Sequence, residues 1–347
     1  MPFVVAALLA LLIPLHALSA QSSRADTGWH DPSPHTGRSV VVAPGVQLEV
    51  LDWGGTGTPM IFLPGLGNTA HSFDVFAPRF RDAYHVYAIT PRGFGASSHP
   101  DSGYDSPSRA RDVVAVLDSL GLSRAILVGH SIAGDELTRV AGEHPERVRA
   151  LVYLDAYSYG GGGADLQLEG EPELPPQTLP PPAMTSADSA SPAAMTAYWT
   201  KRYGVPAIEA EVRAVERFGP TGKLELFQAP NASEQVYLGS TRSEYARVRA
   251  PALAIYAVRD RMPDIFPEYA TFDSTNRRLA RAYVAWSKRY SAAQIGRFRT
   301  EMRCGMVREI AGANHYVHYQ HADRVERMMR AFLTNRLGRA KAGCRVG

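Results

Sequence analysis

Cysteine is scarce in this sequence, whose 347 residues include only Cys304 and Cys344. Neither lies in a recognisable motif with a histidine partner, so we do not interpret either as a nucleophile. The two can form one disulfide that ties the C-terminal tail to the segment before the last strand, or they can remain two thiols. Because no cluster of His, Cys and Asp residues has the spacing of metal ligands, we also expect no metal site.

Runs of like charge and nucleotide-binding motifs are also missing. Lys and Arg total 37 against 34 Asp and Glu, and this net charge of +3 is small for the length of the chain. Since there is no Lys/Arg-rich run, the composition argues against a nucleic-acid partner. Gly65-x-Gly67 lacks the third glycine of a dinucleotide-binding motif, and no phosphate-binding P-loop is present. We therefore expect no cofactor.

The longest apolar run lies at the N terminus. Phe3 to Leu15 is interrupted only by Pro14 and precedes the small residues of Ala17-Leu18-Ser19-Ala20. This layout is typical of a secretory signal peptide, and the run is shorter than the roughly 20 residues that span a membrane. We predict a signal peptide at 1–20 and a secreted or periplasmic protein without a stable membrane span after cleavage. The alternative is a protein tethered to the membrane by an uncleaved leader.

Strand and helix patterns alternate from residue 39 onward. Short apolar runs bounded by turn residues predict strands, and longer segments with apolar residues at helical spacing predict helices. This alternation is typical of a parallel sheet with helices on both faces. The predicted strands are 46–53, 59–63, 84–89, 125–128, 150–154, 252–258 and 307–310, and the clearest predicted helices are 108–120, 132–143 and 322–337.

The alternation is interrupted in the middle of the chain. After Tyr157 come Gly160 to Gly163 and the run Pro180-Pro181-Pro182, a composition that cannot supply a sheet strand. Helical pieces follow at about 192–218 and 231–248. We predict a core formed by 39–156 and 250–337, a cap or lid inserted at 157–249, a flexible linker at 21–38 that is rich in Ser, Pro, Gly and His, and a C-terminal tail at 338–347.

The most informative motif is Gly129-His130-Ser131-Ile132-Ala133, which joins an apolar strand to a helix. A serine on such a sharp turn has strained backbone geometry and needs small residues two positions before and after it. Gly129 and Ala133 meet that need. The helix N-terminus also presents N–H groups that would stabilise negative charge near Ser131. A serine that merely caps the helix is the alternative interpretation.

Together with two other motifs, this turn resembles the nucleophile turn of the α/β-hydrolase fold superfamily, in particular of members with a cap domain. Phe62-Leu63-Pro64-Gly65-Leu66-Gly67-Asn68 resembles the oxyanion loop, although many members have His where Pro64 stands. Thr90-Pro91-Arg92-Gly93-Phe94-Gly95-Ala96-Ser97 resembles the Arg-Gly-x-Gly-x-Ser turn. Ala133 departs from the common Gly-x-Ser-x-Gly. The resemblance implies an α/β fold with a mostly parallel, doubly wound, eight-stranded sheet and an inserted helical cap.

The resemblance also implies roles for individual residues. Ser131 would be the nucleophile, and the backbone N–H groups of Leu66 and Ile132 would form the oxyanion hole. His315 follows the last strand, where the superfamily carries its catalytic histidine, and imidazole can accept the serine proton near neutral pH. His318 lies close enough in the chain to remain an alternative base.

The acidic partner of the histidine is the least determined of these positions. Asp260 stands just past the penultimate core strand, the usual place in this fold, and is our preferred prediction. Asp264, four residues on, is a substitute. Asp155, at the end of the strand 150–154, is a further alternative, although a carboxylate there can also serve only to bond the backbone.

This set of residues predicts hydrolysis of a small carboxylic ester, and hence a small-molecule partner, through an acyl-enzyme. Amide, peptide or lactone hydrolysis would use the same residues, and a membrane-tethered lipase is a further possibility. A non-catalytic binding protein on a hydrolase scaffold is an alternative of a different class. A serine at the turn disfavours haloalkane dehalogenase or epoxide hydrolase chemistry, because the enzymes of those kinds that it resembles attack with Asp.

Overall fold

The computed structural model describes residues 28–158, 183–227, 230–259, 261–266 and 268–337. The predicted signal peptide at 1–20, the preferred acid Asp260 and the predicted tail at 338–347 lie outside these ranges. Cys304 is disulfide-bonded, and Cys344 lies outside the described residues.

Ten strands and nine α-helices are formed within the described ranges. The strands are β1 (Thr36–Ala43), β2 (Val46–Gly54), β3 (Thr58–Leu63), β4 (Tyr84–Ile89), β5 (Ala125–His130), β6 (Val148–Leu154), β7 (Glu216–Phe218), β8 (Leu224–Phe227), β9 (Ala252–Val258) and β10 (Gly305–Ala311). The helices are α1 (Ser106–Ser119), α2 (Ala133–Glu143), α3 (Pro192–Tyr203), α4 (Glu209–Val215), α5 (Pro230–Gly239), α6 (Met262–Ile265), α7 (Ser274–Glu301), α8 (Val317–Gln320) and α9 (Ala322–Leu337).

Eight of the strands form one sheet in the order β1-β2-β4-β3-β5-β6-β9-β10. β1 with β2 and β2 with β4 are antiparallel, and every pairing from β4 to β10 is parallel. The predicted eight-stranded, mostly parallel sheet is therefore confirmed. Because parallel strands end at the same edge, the residues that follow β5, β6 and β10 come close together.

The sheet is covered by apolar side chains on both faces. Successive side chains of a strand point to opposite faces, and β5 accordingly places Leu127 in one buried cluster and Val128 in another. The first cluster includes residues of α1, α2 and α7, such as Phe298. The second includes residues of α9, such as Met329. Helices thus lie on both faces, as in a doubly wound sheet.

The predicted elements agree best with the structure where an apolar run in the sequence is continuous. β4 and β9 have the predicted bounds, the other five predicted core strands differ from theirs by one to three residues, and β1 was not predicted. The predicted helical piece at 192–218 was wrong at its end, because Glu216–Phe218 pairs with β8 as a short antiparallel strand. Gly204, with φ of +67°, also ends α3 and splits that piece in two.

The described part of the predicted flexible linker also differs from the prediction. β1 already begins at Thr36, and the residues before it contact the core. Ser33 donates from its hydroxyl to the carbonyl of Asp74 at 3.0 Å and accepts from the indole N–H of Trp53 at 2.9 Å. Because these bonds are long-range, residues 31–35 belong to the folded core.

A buried ion pair fixes the turn that follows β4. The Arg92 guanidinium donates from Nε and Nη2 to the two carboxylate oxygens of Asp112 in α1, each at 2.6 Å. Both side chains are less than a tenth exposed. A buried pair of this kind is costly to break, because removal of one member leaves an uncompensated charge.

We expect Asp112→Ala to lower the free energy of unfolding by about 3 kcal/mol, because Arg92 would then be buried without its partner. Asp118→Ala provides a control on the same helix, since the carboxylate of Asp118 is exposed and pairs with Arg147 at the surface. That change should cost less than about 1 kcal/mol. Urea denaturation of both variants checks the difference, and equal losses would contradict the interpretation.

Candidate active site

Ser131 occupies the sharp turn between β5 and α2. Its φ of +55° is in the left-handed region, which costs a non-glycine residue on the order of 1–3 kcal/mol. A Cβ atom at Gly129 would lie 2.8 Å from Leu137 Cδ1 and 3.1 Å from Ala133 Cβ. The close approach of strand and helix therefore requires glycine at 129, and the turn holds the serine at the carboxyl edge of the sheet.

His315 lies against this serine. Its Nε2 is 2.9 Å from Ser131 Oγ. The loop that carries His315 leaves β10 through Gly312, whose φ is +69°. His130 fixes the loop from the other side, because its Nε2 lies 3.1 Å from the His315 carbonyl oxygen and must donate there. Burial, with a smaller effect of His315, lowers the pKa of His130 well below its usual range, so this imidazole is neutral.

The carboxylate that contacts His315 is that of Asp155, the residue directly after β6. His315 Nδ1 lies 2.7 Å from Asp155 Oδ2. The carboxylate is fully buried, and Asp155 also has a positive φ, +43°. Its Oδ1 accepts the backbone N–H of Ala257 at 2.8 Å, and its Oδ2 is 3.4 Å from Arg259 Nη2. The ionised form thus has both a backbone donor and a cation beside it.

The other two candidate acids have different positions. Asp264 binds its neighbour Arg261, with Oδ1 2.6 Å from Nη2 and Oδ2 3.1 Å from Nε. Asp260 lies outside the described residues. Of the described candidates, Asp155 is the one that contacts His315. It also bonds the backbone, which was the other interpretation of this residue in the sequence.

His318 is placed away from the serine in a buried aromatic environment. Its ring centroid is 5.2 Å from that of Phe73 and 5.7 Å from that of Phe76. Burial and, second, the nearby His315 lower its pKa to about 3. His318 is therefore a neutral packing residue here, and His315 is the histidine in contact with Ser131.

The loop after β3 passes directly over the serine. A Cβ atom at Gly65 would be 3.2 Å from Ser131 Cβ and 2.8 Å from His130 Nδ1, so the absence of a side chain permits this approach. The backbone N–H groups of Leu66 and Ile132 have no acceptor among the described residues. Both predicted donors are thus available beside the Ser131 hydroxyl.

A family model described as the alpha/beta hydrolase family matches residues 60–328. The match includes most of β3, all of β4 to β6, β9 and β10, and every residue of the site described above. The chain belongs to the alpha/beta hydrolase family.

Individual relatives of this alpha/beta hydrolase match shorter stretches. A putative non-heme haloperoxidase of Mycobacterium phage D29 is 34% identical over 119 residues, which are 34% of this chain and 42% of the relative. A 2-(acetamidomethylene)succinate hydrolase of Mesorhizobium japonicum is 31% identical over 105 residues, 30% of this chain and 38% of the relative. The chain thus aligns with less than half the length of either protein.

Solved structures agree on the fold. The crystal structure of E-2-(acetamidomethylene)succinate hydrolase superposes with a TM-score of 0.61 at 21% identity, covering 86% of this chain and 99% of that one. At this identity the likeness shows the fold alone. Within the described ranges, every helix of the hydrolase is too short or too polar to serve as a membrane span.

The segment inserted between β6 and β9 contacts the site loops of the hydrolase at several points. Glu211 of α4 accepts hydrogen bonds from Asn68 Nδ2 and from the backbone N–H of Thr69, both at 2.9 Å, and also from the Thr69 hydroxyl. On the His315 loop, Asn314 donates to the backbone carbonyl of Tyr203 in α3. One buried carboxylate thus links the insertion to the loop that carries Leu66.

The charge state of Glu211 depends on pH near neutrality. Burial raises its pKa to about 7, against the hydrogen bonds from Thr69 and Asn68, which favour the ionised form. In the unfolded chain the carboxyl has an ordinary pKa near 4.5, so the folded state binds more protons between these values. The stability contributed by this group is present below pH 4.5 and is lost as pH rises through 7.

A second group of ionisable residues lies apart from the serine. Asp31, His35, His71 and Asp74 offer ligand atoms that all lie within 4.8 Å of one another. The sequence spacing did not lead us to expect this cluster. Its only sequence signal is two short pairs, Asp31-x₃-His35 and His71-x₂-Asp74, which are separated by more than thirty residues.

We expect Glu211→Gln to remove part of the pH dependence of stability. Relative to this variant, the wild-type protein should lose about 2 kcal/mol of unfolding free energy between pH 5 and pH 8, because Glu211 must ionise while buried and the glutamine that replaces it carries no charge. Chemical denaturation across this range measures the difference. Glu209→Gln, on the same helix but partly exposed and paired with Arg213, should keep the wild-type profile. Parallel profiles for wild type and Glu211→Gln would contradict the assignment.

Proposed function

We propose that this alpha/beta hydrolase is a serine hydrolase that cleaves a small carboxylic ester through an acyl-enzyme on Ser131. The observation that supports the proposal is the continuous contact from Ser131 Oγ to His315 Nε2 at 2.9 Å and from His315 Nδ1 to Asp155 Oδ2 at 2.7 Å. A serine hydroxyl is a weak nucleophile and requires a base within about 2.6–3.2 Å. His315 meets that distance.

In the acylation step, Ser131 Oγ attacks the ester carbonyl carbon while its proton passes to His315 Nε2. The carbonyl oxygen becomes an oxyanion and accepts the N–H groups of Leu66 and Ile132. Each such donor is typically worth about 100- to 1000-fold in rate. Collapse of the intermediate expels the alkoxide, which takes the proton from His315 and leaves as the alcohol.

Deacylation repeats these transfers with water. His315 takes a proton from the water as it attacks the acyl carbon, and returns that proton to Ser131 Oγ when the acid leaves. Asp155 accepts the Nδ1–H in both steps, which selects the tautomer with a basic Nε2 and stabilises the imidazolium. The Ala257 N–H and Arg259 hold this carboxylate in place.

The alcohol and acyl groups would bind between the sheet edge and the insertion. Ile132 packs in one buried cluster with Phe94 and Tyr104 and with Ala232 and Val236 of α5. An apolar wall therefore includes Ile132, one of the two proposed oxyanion donors. It supports a small apolar substrate, and we propose that the insertion acts as the cap predicted from the sequence.

Amide hydrolysis is the second candidate. It is favoured by the 31% identity to the 2-(acetamidomethylene)succinate hydrolase, whose name specifies a substrate with an acetamido group. The same three side chains can cleave an amide if His315 protonates the leaving nitrogen. Paired ester and amide substrates with the same acyl group separate the two candidates by their kcat/KM.

We expect a fluorophosphonate probe to label Ser131 of the folded protein, as mapped by mass spectrometry of its peptides. Ser131→Ala should take no label, and His315→Ala should label far more slowly because its serine lacks a base. Ester hydrolysis should be lost in parallel. A folded wild-type protein that is neither labelled nor active would contradict the proposal and favour a binding protein on this scaffold.

The acid is tested in the same assay by three matched aspartate variants. Asp155→Asn should lower kcat/KM by about 10³- to 10⁴-fold, the order seen when a triad carboxylate becomes an amide. Asp264→Asn should remain close to wild type, because that side chain binds Arg261. If Asp260→Asn instead shows the large loss while Asp155→Asn is active, the assignment to Asp155 is wrong.

We also infer that the protein is exported. The apolar run from Phe3 to Leu15 and the disulfide of Cys304 support this inference. Disulfides persist mainly in oxidising compartments. The intact mass of protein recovered from the periplasm or medium should correspond to cleavage after Ala20. A mass that retains residues 1–20 would favour the membrane-tethered alternative.

A further inference from the structure

Two segments distant in sequence meet in the cluster of Asp31, His35, His71 and Asp74. The first precedes β1. The second is the 3₁₀ turn Ala70–Phe73 and the residue after it, which continue the chain from the oxyanion loop. Each segment contributes one imidazole and one carboxylate, and the four side chains are mostly buried.

The distances between the ligand atoms fit a small tetrahedral ion. His35 Nε2 lies 3.1 Å from Asp31 Oδ2 and 3.4 Å from Asp74 Oδ1. His71 Nδ1 lies 3.2 Å from Asp31 Oδ2 and 3.0 Å from Asp74 Oδ2. A tetrahedron with bonds of about 2.0–2.1 Å, the usual Zn–N and Zn–O lengths, has edges of roughly 3.3–3.4 Å. The four distances given are close to such edges, and all the ligand atoms lie within 4.8 Å of one another, so rotation of the side chains would bring four of them around one ion.

Two buried polar atoms in the cluster, Asp74 Oδ1 and His35 Nδ1, lack a hydrogen-bond partner within the described part of the chain. The Asp74 side chain is only 3% exposed, and its Oδ1 accepts no hydrogen bond within the described part of the chain. A buried carboxylate oxygen left in this way is costly. Because Asp74 Oδ1 lies 3.4 Å from His35 Nε2, a cation between the two would give Asp74 Oδ1 a partner, and His35 Nε2 would exchange its contact with Asp31 Oδ2 for the cation.

Outer contacts orient the ligand side chains. The other carboxylate oxygen of Asp31, Oδ1, accepts the backbone N–H of Ser33 at 2.9 Å. His71 Nε2 lies 3.9 Å from Glu49 Oε1, which leaves Nδ1 directed toward the two aspartates. A carboxylate behind a ligating imidazole is a common outer partner in zinc sites.

We propose that Asp31, His35, His71 and Asp74 bind one Zn²⁺ ion. Two imidazoles with two carboxylates suit zinc better than the all-oxygen ligand sets of Ca²⁺ and Mg²⁺. Four protein ligands close a tetrahedral site, so the ion is structural and takes no part in the chemistry. It fastens residues 31–35 to the turn capped by Thr69, the residue that also binds Glu211.

The test uses untagged, folded protein freed of metal with a chelator and then titrated with Zn²⁺ by calorimetry, with metal content measured by mass spectrometry. We expect one Zn²⁺ per chain and a higher melting temperature when it is bound. His35→Gln and Asp74→Asn should each weaken binding by at least about 100-fold, since even loss of an outer partner costs about 10- to 100-fold.

His85→Gln is the matched control, because His85 bonds a single carboxylate, that of Asp52, at 2.9 Å outside the cluster. This variant should bind zinc as the wild type does. Should a ligand variant fail to fold, the visible spectrum of Co²⁺ bound to the wild-type protein decides instead, since tetrahedral Co²⁺ absorbs far more strongly than octahedral Co²⁺.

The proposal is overturned if the folded wild-type protein takes up no Zn²⁺, or if its Co²⁺ spectrum is that of an octahedral ion. Unchanged affinity in folded His35→Gln and Asp74→Asn would also overturn it. In each of those cases the cluster is an ion-pair network in which His71 carries a proton. Ester hydrolysis is measured separately, and its loss without loss of zinc binding would count against the proposed function alone.

Discussion

The parallel pairing of β5 with β6 is the constraint on which the site depends. Their register sets Gly129 opposite Tyr153 and His130 opposite Leu154, so the residues just beyond the two strands, Ser131 and Asp155, emerge side by side. Both have positive φ values. Strain at two adjacent strand ends persists only where the surrounding sheet fixes it, and here it turns both side chains toward the single imidazole of His315.

The sequence predicted most of the fold because its local signals were strong. Continuous apolar runs bounded by turn residues gave β4 and β9 their correct bounds, and the small residues around Ser131 predicted the turn. The strand Glu216–Phe218 was missed because three residues are too few to show an alternating pattern. The structure also places Asp31 to His35 on the core, where composition alone had indicated a linker.

The sequence did not determine which aspartate contacts His315, and it did not reveal the cluster of Asp31, His35, His71 and Asp74. Asp155 directly follows β6, and Asp260 and Asp264 come after β9 in the sequence. Nothing local shows which carboxylate reaches His315, because that depends on strand order. The cluster joins two pairs of residues that are more than thirty positions apart in the sequence, and each pair offers only two ligands. Neither pair alone has the pattern of a metal motif.

Because Asp155 supplies the carboxylate that contacts His315, the loop after β9 is not required to supply one. Arg259 contacts Asp155, whereas Asp264 bonds its neighbour Arg261 and is not the carboxylate that contacts His315. Such a loop can change in length and composition between relatives while the hydrogen-bonded side chains at the sheet edge stay fixed. Changes in this loop are therefore expected to leave the contact between Asp155 and His315 intact.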